Sequence, residues 1–292
     1  MKQQTFISTF MGAISAEVLA KSQDGIVMGL TSKGIFLRCG DAILFITEAP
    51  YKSPFNIYIP GFERLMSVLA SNSRFEVTPT AIVFPDESVQ VITDNAEIWT
   101  PSSPVKIETI KQRRTELMDL LLKNISILDE TKGWIFLFNN HQTLPVEISE
   151  RIIVNTQGFC NGYQHRDLDG SLAAAERFLG LGGGLTPSGD DWLAGFLLYQ
   201  TRFFMVSGNY SEFQEQLGDA LQKMVFQKTT TISANRILAA GRGWAEEPFL
   251  QVIDNLFSGV EMPAGLAELI THFGHSSGVD TTLGMAAAIT CE

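Results

Sequence analysis

Two adjacent carboxylates, Asp190 and Asp191, follow a glycine-rich loop in the stretch GLGGGLTPSGDDWLAG, Gly180 to Gly195. Carboxylates at such a point have several uses. They stabilise the start of a helix by about 0.3–1 kcal/mol, meet Mg2+, orient a histidine, or accept hydrogen bonds from an amide NH2. Capping is the plainest of these. The loop has a chemistry of its own: backbone N–H groups at Gly182, Gly183, Gly184 and Gly189, the Thr186 and Ser188 hydroxyls, and the positive end of a helix dipole suit a phosphate or a carboxylate.

Two further stretches repeat this polarity. His272 to Gly284 reads HFGHSSGVDTTLG. There His275 stands next to Ser276 and Ser277 and five residues before Asp280, and histidine donates, accepts or transfers a proton near neutrality. A histidine taken alone is more often structural, and His272, inside the apolar helix ending LITHF, reads as merely packed or exposed. Asp280 or Ser277 is available as a helix cap. In Thr229–Ser233, TTTIS, the hydroxyls, with Thr230 and Ser233 as the site candidates, read first as helix caps and otherwise as contacts to an anion or amide. Asp190, Asp191 and His275 are also the residues that would hold a metal such as Mg2+, although spacing does not show that they converge. Ser188, in TPSGDD, would be placed by a proline turn instead of a strand-to-helix nucleophile elbow, and no Walker A lysine follows the glycines.

The elements that must position these residues fall into two halves. From Asp24 to Thr100, short apolar runs of strand length alternate with turn residues, predicting an antiparallel, meander-like β-rich part. Hairpin connections are expected at Ser32–Gly34 and Cys39–Asp41, and a helix at Phe62–Ala70. Pro101–Pro104 marks the boundary, giving a β-rich domain over 1–104 and a mainly helical domain over 105–292 that carries the glycine loop. Gly133–Phe138 is a strand or a helix turn. Helices are predicted over 108–127, 148–155, 171–179, 187–205, 212–226, 232–240, 248–257, 264–273 and 281–289. Thr186 is expected as N-cap with Pro187 in the first helical position, and Gly180, Gly241 and Gly274 as C-terminal caps. No period of self-similarity stands out. The fold class is α+β.

Composition narrows the function. A net charge of −11 removes the term that dominates nucleic-acid affinity, so neither DNA nor RNA is an expected partner. Three widely spaced cysteines indicate neither a disulfide framework nor a zinc site and fit a reducing cytoplasm. Ser8, Thr9 and Glu17 weaken any secretory-leader reading of the N-terminus, and no apolar run is long enough to span a bilayer.

Together, GLGGGLTPSGDDWLAG, TTTIS and GHSSGVDTTLG resemble the AllH-like family, a bacterial group linked to the oxamate carbamoyltransferase of anaerobic allantoin breakdown and purine nitrogen catabolism. The resemblance is close over most of the second half and loose elsewhere. Gly183 stands where that pattern usually has proline and Val279 where it often has an aromatic residue; neither departure removes a polar group. The resemblance implies a carbamoyltransferase subunit working on oxalurate and phosphate to give oxamate and carbamoyl phosphate. It also implies protein partners, one of them resembling acyl-CoA synthetase subunits. On this reading the glycine loop, Thr186 and Ser188 hold an anion, Asp190 and Asp191 accept from the carbamoyl NH2 or orient His275, and His275 protonates the departing nitrogen. Two alternatives stand beside it: a metal-assisted amidase, or a non-catalytic subunit that binds a small carboxylate.

Overall fold

The computed structural model describes residues 3–141, 143–208 and 211–292. The chain divides into two compact units, Met1–Ser102 and Ser103–Glu292.

The first unit contains β1 (Gln4–Ile7), β2 (Phe10–Gly12), α1 (Ala13–Leu19), β3 (Asp24–Thr31), β4 (Gly34–Cys39), β5 (Ala42–Thr47), β6 (Asn56–Tyr58), α2 (Phe62–Met66), β7 (Arg74–Val77), β8 (Ala81–Phe84), β9 (Val89–Ile92) and β10 (Glu97–Trp99). The ten strands form one sheet in the order β1-β9-β8-β7-β3-β4-β5-β6-β2-β10. Most neighbours are antiparallel, as the meander pattern predicts, but β1/β9, β5/β6 and β2/β10 pair in parallel, so the sheet is mixed. β-Branched and aromatic residues suit these half-buried strands, and Val27, Ile35, Leu37, Leu44, Ile46, Ile57, Ile82 and Val91 are fully enclosed. The β3–β4 turn closes on Gly34, where a side chain would collide with the Ile46 carbonyl. The expected helix from Phe62 to Ala70 is shorter, ending as α2 at Met66.

The second unit is helical: α3 (Lys111–Leu128), α4 (Phe136–Asn139), α5 (Val146–Gln164), α6 (Leu168–Phe178), α7 (Ser188–Ser207), α8 (Glu212–Lys228), α9 (Thr231–Gly241), α10 (Glu247–Ser258), α11 (Leu266–Thr271) and α12 (Ser277–Thr290). The ambiguous run from Gly133 resolves into a turn and the single-turn helix α4. Helix α5 runs nine residues past its expected end at Asn155. Its buried face, Ile152, Phe159 and Tyr163, packs on the aromatic side of α7, with Phe159 edge-on to Trp192 and Phe196. Left-handed glycines follow α6 (Gly180) and α11 (Gly274); after α9 the role falls to Gly243, not Gly241.

Helices α7 and α12 form the centre of this unit. The start of one meets the start of the other through Thr186 and Ser277, and further along Gln200 donates to the Ala288 carbonyl, so the two run side by side in the same direction. Their backbones touch. A side chain on Gly195 would collide with the Thr281 carbonyl, and one on Gly284 with the Trp192 carbonyl. Only glycine allows that approach.

Candidate functional site

The reciprocal glycines expose a duplication that the sequence hides. Ser188-Gly189-Asp190-Asp191 with Gly195, and Ser277-Gly278-Val279-Asp280 with Gly284, share the pattern S-G-x-D-x-x-x-G at a spacing of 89 positions. The structure treats them alike. Gly189 and Gly278 each leave no room for a side chain beside a carbonyl of the preceding helix, Phe178 in α6 and Ile270 in α11. Each also donates its N–H back into its loop, to Leu181 at 3.0 Å and to Phe273 at 3.1 Å. From Leu181 to Gly189 is three residues longer than from Phe273 to Gly278. The extra length accommodates the exposed run Gly182–Gly184, where Gly182 and Gly184 take left-handed φ values of 131° and 88°.

Two parallel helix starts thus lie together, and their polar residues interlock. The Thr186 and Ser277 hydroxyls are 2.7 Å apart. This replaces the expected caps. Pro187 occupies the N-cap position of α7, and α12 begins at Ser277 behind Ser276 instead of at Thr281, so neither Thr186, Ser277 nor Asp280 caps a helix. The Ser-Ser-Gly run reads as loop in sequence, yet Gly278 is helical because only glycine fits against Ile270.

The adjacent aspartates part company, because neighbours on a helix point about 100° apart. Asp190 staples the loop: one oxygen accepts the Gly180 N–H at 2.7 Å and the other the Thr229 hydroxyl. Burial raises its pKa, against the pull of Thr229 and Gly180. Asp191, 1% exposed, is paired with Arg236 of α9, which also reaches Glu246 at 3.4 Å and lies over the Phe273 ring. Burial pushes the Asp191 pKa up to about 6; Arg236 and the neighbouring Ser277 and Thr186 hydroxyls pull the other way.

Asp280 is the counterpart of Asp191 in the second copy. It is fully buried, and its Oδ1 accepts the Trp134 N–H at 2.7 Å. Gly133 makes this contact possible, because a side chain there would overlap the carboxyl. Burial first, and the charge of Asp191 second, raise the Asp280 pKa to about 7, while the Trp134 N–H and the Ser188 and Ser276 hydroxyls oppose the rise. The arrangement is crossed: Asp191 lies beside Ser277 of the other helix and Asp280 beside Ser188. Among the described residues, Oδ2 of Asp191 and Oδ2 of Asp280 have no hydrogen-bond partner.

Of the other sequence-predicted residues, Thr230 is the N-cap of α9, accepting from the Ser233 N–H at 3.1 Å and donating to the Leu185 carbonyl at 2.7 Å. The Ser233 hydroxyl is buried, has no hydrogen-bond partner among the described residues, and lies close enough to Asp190 to lower its pKa. His275 is exposed, and no hydrogen bond joins it to Asp190 or Asp191 among the described residues. No three His, Cys, Asp or Glu side chains gather as a metal site among the described residues. An open cleft of about 640 Å³ at the end of α3 contains none of these residues. Nothing in the sequence marks Arg236 or Trp134 as site residues, because each acts through a partner at least 45 positions away, and the hydroxyl of Thr229, one of those in TTTIS, donates to Asp190 instead of capping α9.

Residues 178–289 match the family model described as oxamate carbamoyltransferase subunit AllH. The matched span runs from the end of α6 nearly to the end of α12 and holds both copies of the motif. This is the family that the motifs resemble. No solved structure matches the chain. Among the described residues, no helix is long and apolar enough to cross a membrane.

Proposed function

We propose that the chain is a subunit of an oxamate carbamoyltransferase-type enzyme and that the paired starts of α7 and α12 hold the reacting group. In this reaction a phosphate oxygen attacks the carbamoyl carbon of oxalurate. The bond from that carbon to the oxamate nitrogen breaks, the nitrogen takes a proton, and carbamoyl phosphate and oxamate leave. The observation that carries the reading is the convergence of two parallel helix starts with hydroxyls from both, within the span matched by the family model.

Each feature has work in such a step. Negative charge develops on the carbamoyl oxygen, and N–H and O–H donors at the helix starts stabilise it without reorganising. The exposed Gly182–Gly184 run, with Thr186 and Ser188, holds phosphate or the oxamate carboxylate through backbone and hydroxyl donors. Ser276 lies on the other side of the same junction. The ionised Asp191 accepts from the carbamoyl NH2, while Asp190 keeps the glycine loop in place. His275, exposed on the α11–α12 loop, delivers the proton to the departing nitrogen. The small anions oxalurate, oxamate, phosphate and carbamoyl phosphate are the ligands, and partner proteins, including an acyl-CoA-synthetase-like subunit, complete the enzyme. The setting is cytoplasmic nitrogen catabolism. The aspartates do not depend on Mg2+ in this account.

The test is phosphorolysis of oxalurate by the assembled complex carrying His275→Ala in this subunit. Loss of a general acid lowers kcat by roughly 10²–10⁴-fold with little change in thermal midpoint, because His275 is exposed. Unchanged kcat removes His275 from the mechanism. Product formation that does not require phosphate points instead to hydrolysis.

A further inference from the structure

The two unpartnered carboxylate oxygens are the most unusual feature of the site. Buried polar atoms nearly always find a partner, and an exception calls for an explanation. Among the described residues, two such exceptions are carboxylate oxygens at equivalent positions of the two copies, on side chains 1% and 0% exposed. Hydroxyls lie beside both carboxyls without standing in bonding geometry to either Oδ2. The chemistry that would satisfy them is constrained from two sides. Carboxylates repel an anion at that spot, so phosphate belongs on the glycine loop. Two parallel helix starts disfavour a cation. A neutral donor meets both conditions.

We propose that Asp191 Oδ2 and Asp280 Oδ2 together clamp the two hydrogens of one planar NH2 group, and that this clamp makes the site select carbamoyl over acyl groups of the same size. The proposal rests on the carbamoyl-transfer reading and adds its specificity. A carbamoyl NH2 presents two coplanar hydrogens in different directions, one for each copy of the motif. A methyl group of the same shape satisfies neither oxygen. A site built around hydrogen bonds to its ligand rejects an analogue that lacks them far more strongly than an apolar pocket does.

Carbamoyl phosphate and acetyl phosphate differ by this one exchange, NH2 for CH3. Calorimetric titration of the full chain with each, in EDTA, is expected to show acetyl phosphate binding on the order of 100-fold more weakly or worse. Asp191→Asn and Asp280→Asn are each expected to narrow that ratio to about 10-fold or less, mainly by weakening carbamoyl phosphate. Equal affinity of the two ligands for the unmodified chain overturns the clamp and leaves carbamoyl transfer standing, since a site that grips only the phosphate would bind both. Binding of neither ligand overturns the clamp together with the placing of the carbamoyl site on this chain alone. Binding that appears only on adding Mg2+ overturns the clamp in favour of a metal between the carboxylates.

Discussion

Asparagine in place of Asp280 is expected to make the protein more stable at pH 8 while weakening its binding of carbamoyl phosphate. Asp280 is fully buried and, among the described residues, accepts one hydrogen bond, from the Trp134 N–H. Its pKa of about 7 in the folded chain lies above the ordinary 3.8, so between those values the native state holds a proton that the unfolded chain has lost. Stability from this group is therefore full below about pH 4 and is lost as pH rises through about 7. A shift of that size corresponds to at most about 4 kcal/mol at pH 8. Asparagine keeps an acceptor for Trp134 and carries no charge, so it recovers about 2–4 kcal/mol, or roughly 5–10 °C in a unit of this size. Thermal melts at pH 8 and pH 5 check the sign: the gain must shrink at pH 5, where Asp280 is largely protonated in the native state. A gain equal at both values would show that ionisation of Asp280 is not what burial opposes. A residue that costs stability and is nonetheless buried between two helix starts is the mark of a site built for something other than stability.

Alanine at Gly195 or Gly284 is expected to have an effect of similar size in the opposite direction. Both positions press backbone on backbone, and the added methyl has a main-chain carbonyl, not a movable side chain, in its way. Overpacking of this kind costs about 1–3 kcal/mol, and more where nothing can shift; here each substitution should cost about 2–4 kcal/mol. Because the contacts are reciprocal, the two variants should behave alike. Spreading α7 from α12 also parts Thr186 from Ser277, so both should lose ligand binding as well. Gly183→Ala is the internal control: its added carbon meets no atom within 4 Å, and its effect should lie within about 0.5 kcal/mol. Denaturant unfolding of the three variants decides it, and a cost below about 1 kcal/mol at Gly195 and Gly284 would mean that the helices are not held at the distance described.

What could be read from sequence followed the range of the interaction responsible. Helices such as α7, α8 and α10 announce themselves by apolar spacing within their own length, and β3, β4 and β5 by turns between adjacent strands. Strands β1 and β2 do not. They are short, and their partners β9, β6 and β10 lie dozens of residues away, so no hairpin signal marks them. The start of α12 was hidden by Ser276-Ser277-Gly278, a loop-like sequence whose glycine is needed by the carbonyl of Ile270. At the site, the polarity of the loops was legible, but the pairing was not. Asp190 and Asp191 look equivalent as neighbours, whereas the equivalent residues are Asp191 and Asp280, 89 positions apart. Arg236 sits in a helix whose sequence gives no hint that a buried carboxylate waits for it.

If the two helix starts form one ligand site, a ligand must reach both at once. Hydrogen exchange of the full chain, with and without saturating carbamoyl phosphate, tests it most directly, because it reports where backbone N–H groups become protected without presuming any residue's role. Slowed exchange is expected in both the Gly180–Asp191 and the Phe273–Asp280 segments, at the same ligand concentration. Protection confined to one segment, or appearing only outside both, would contradict it.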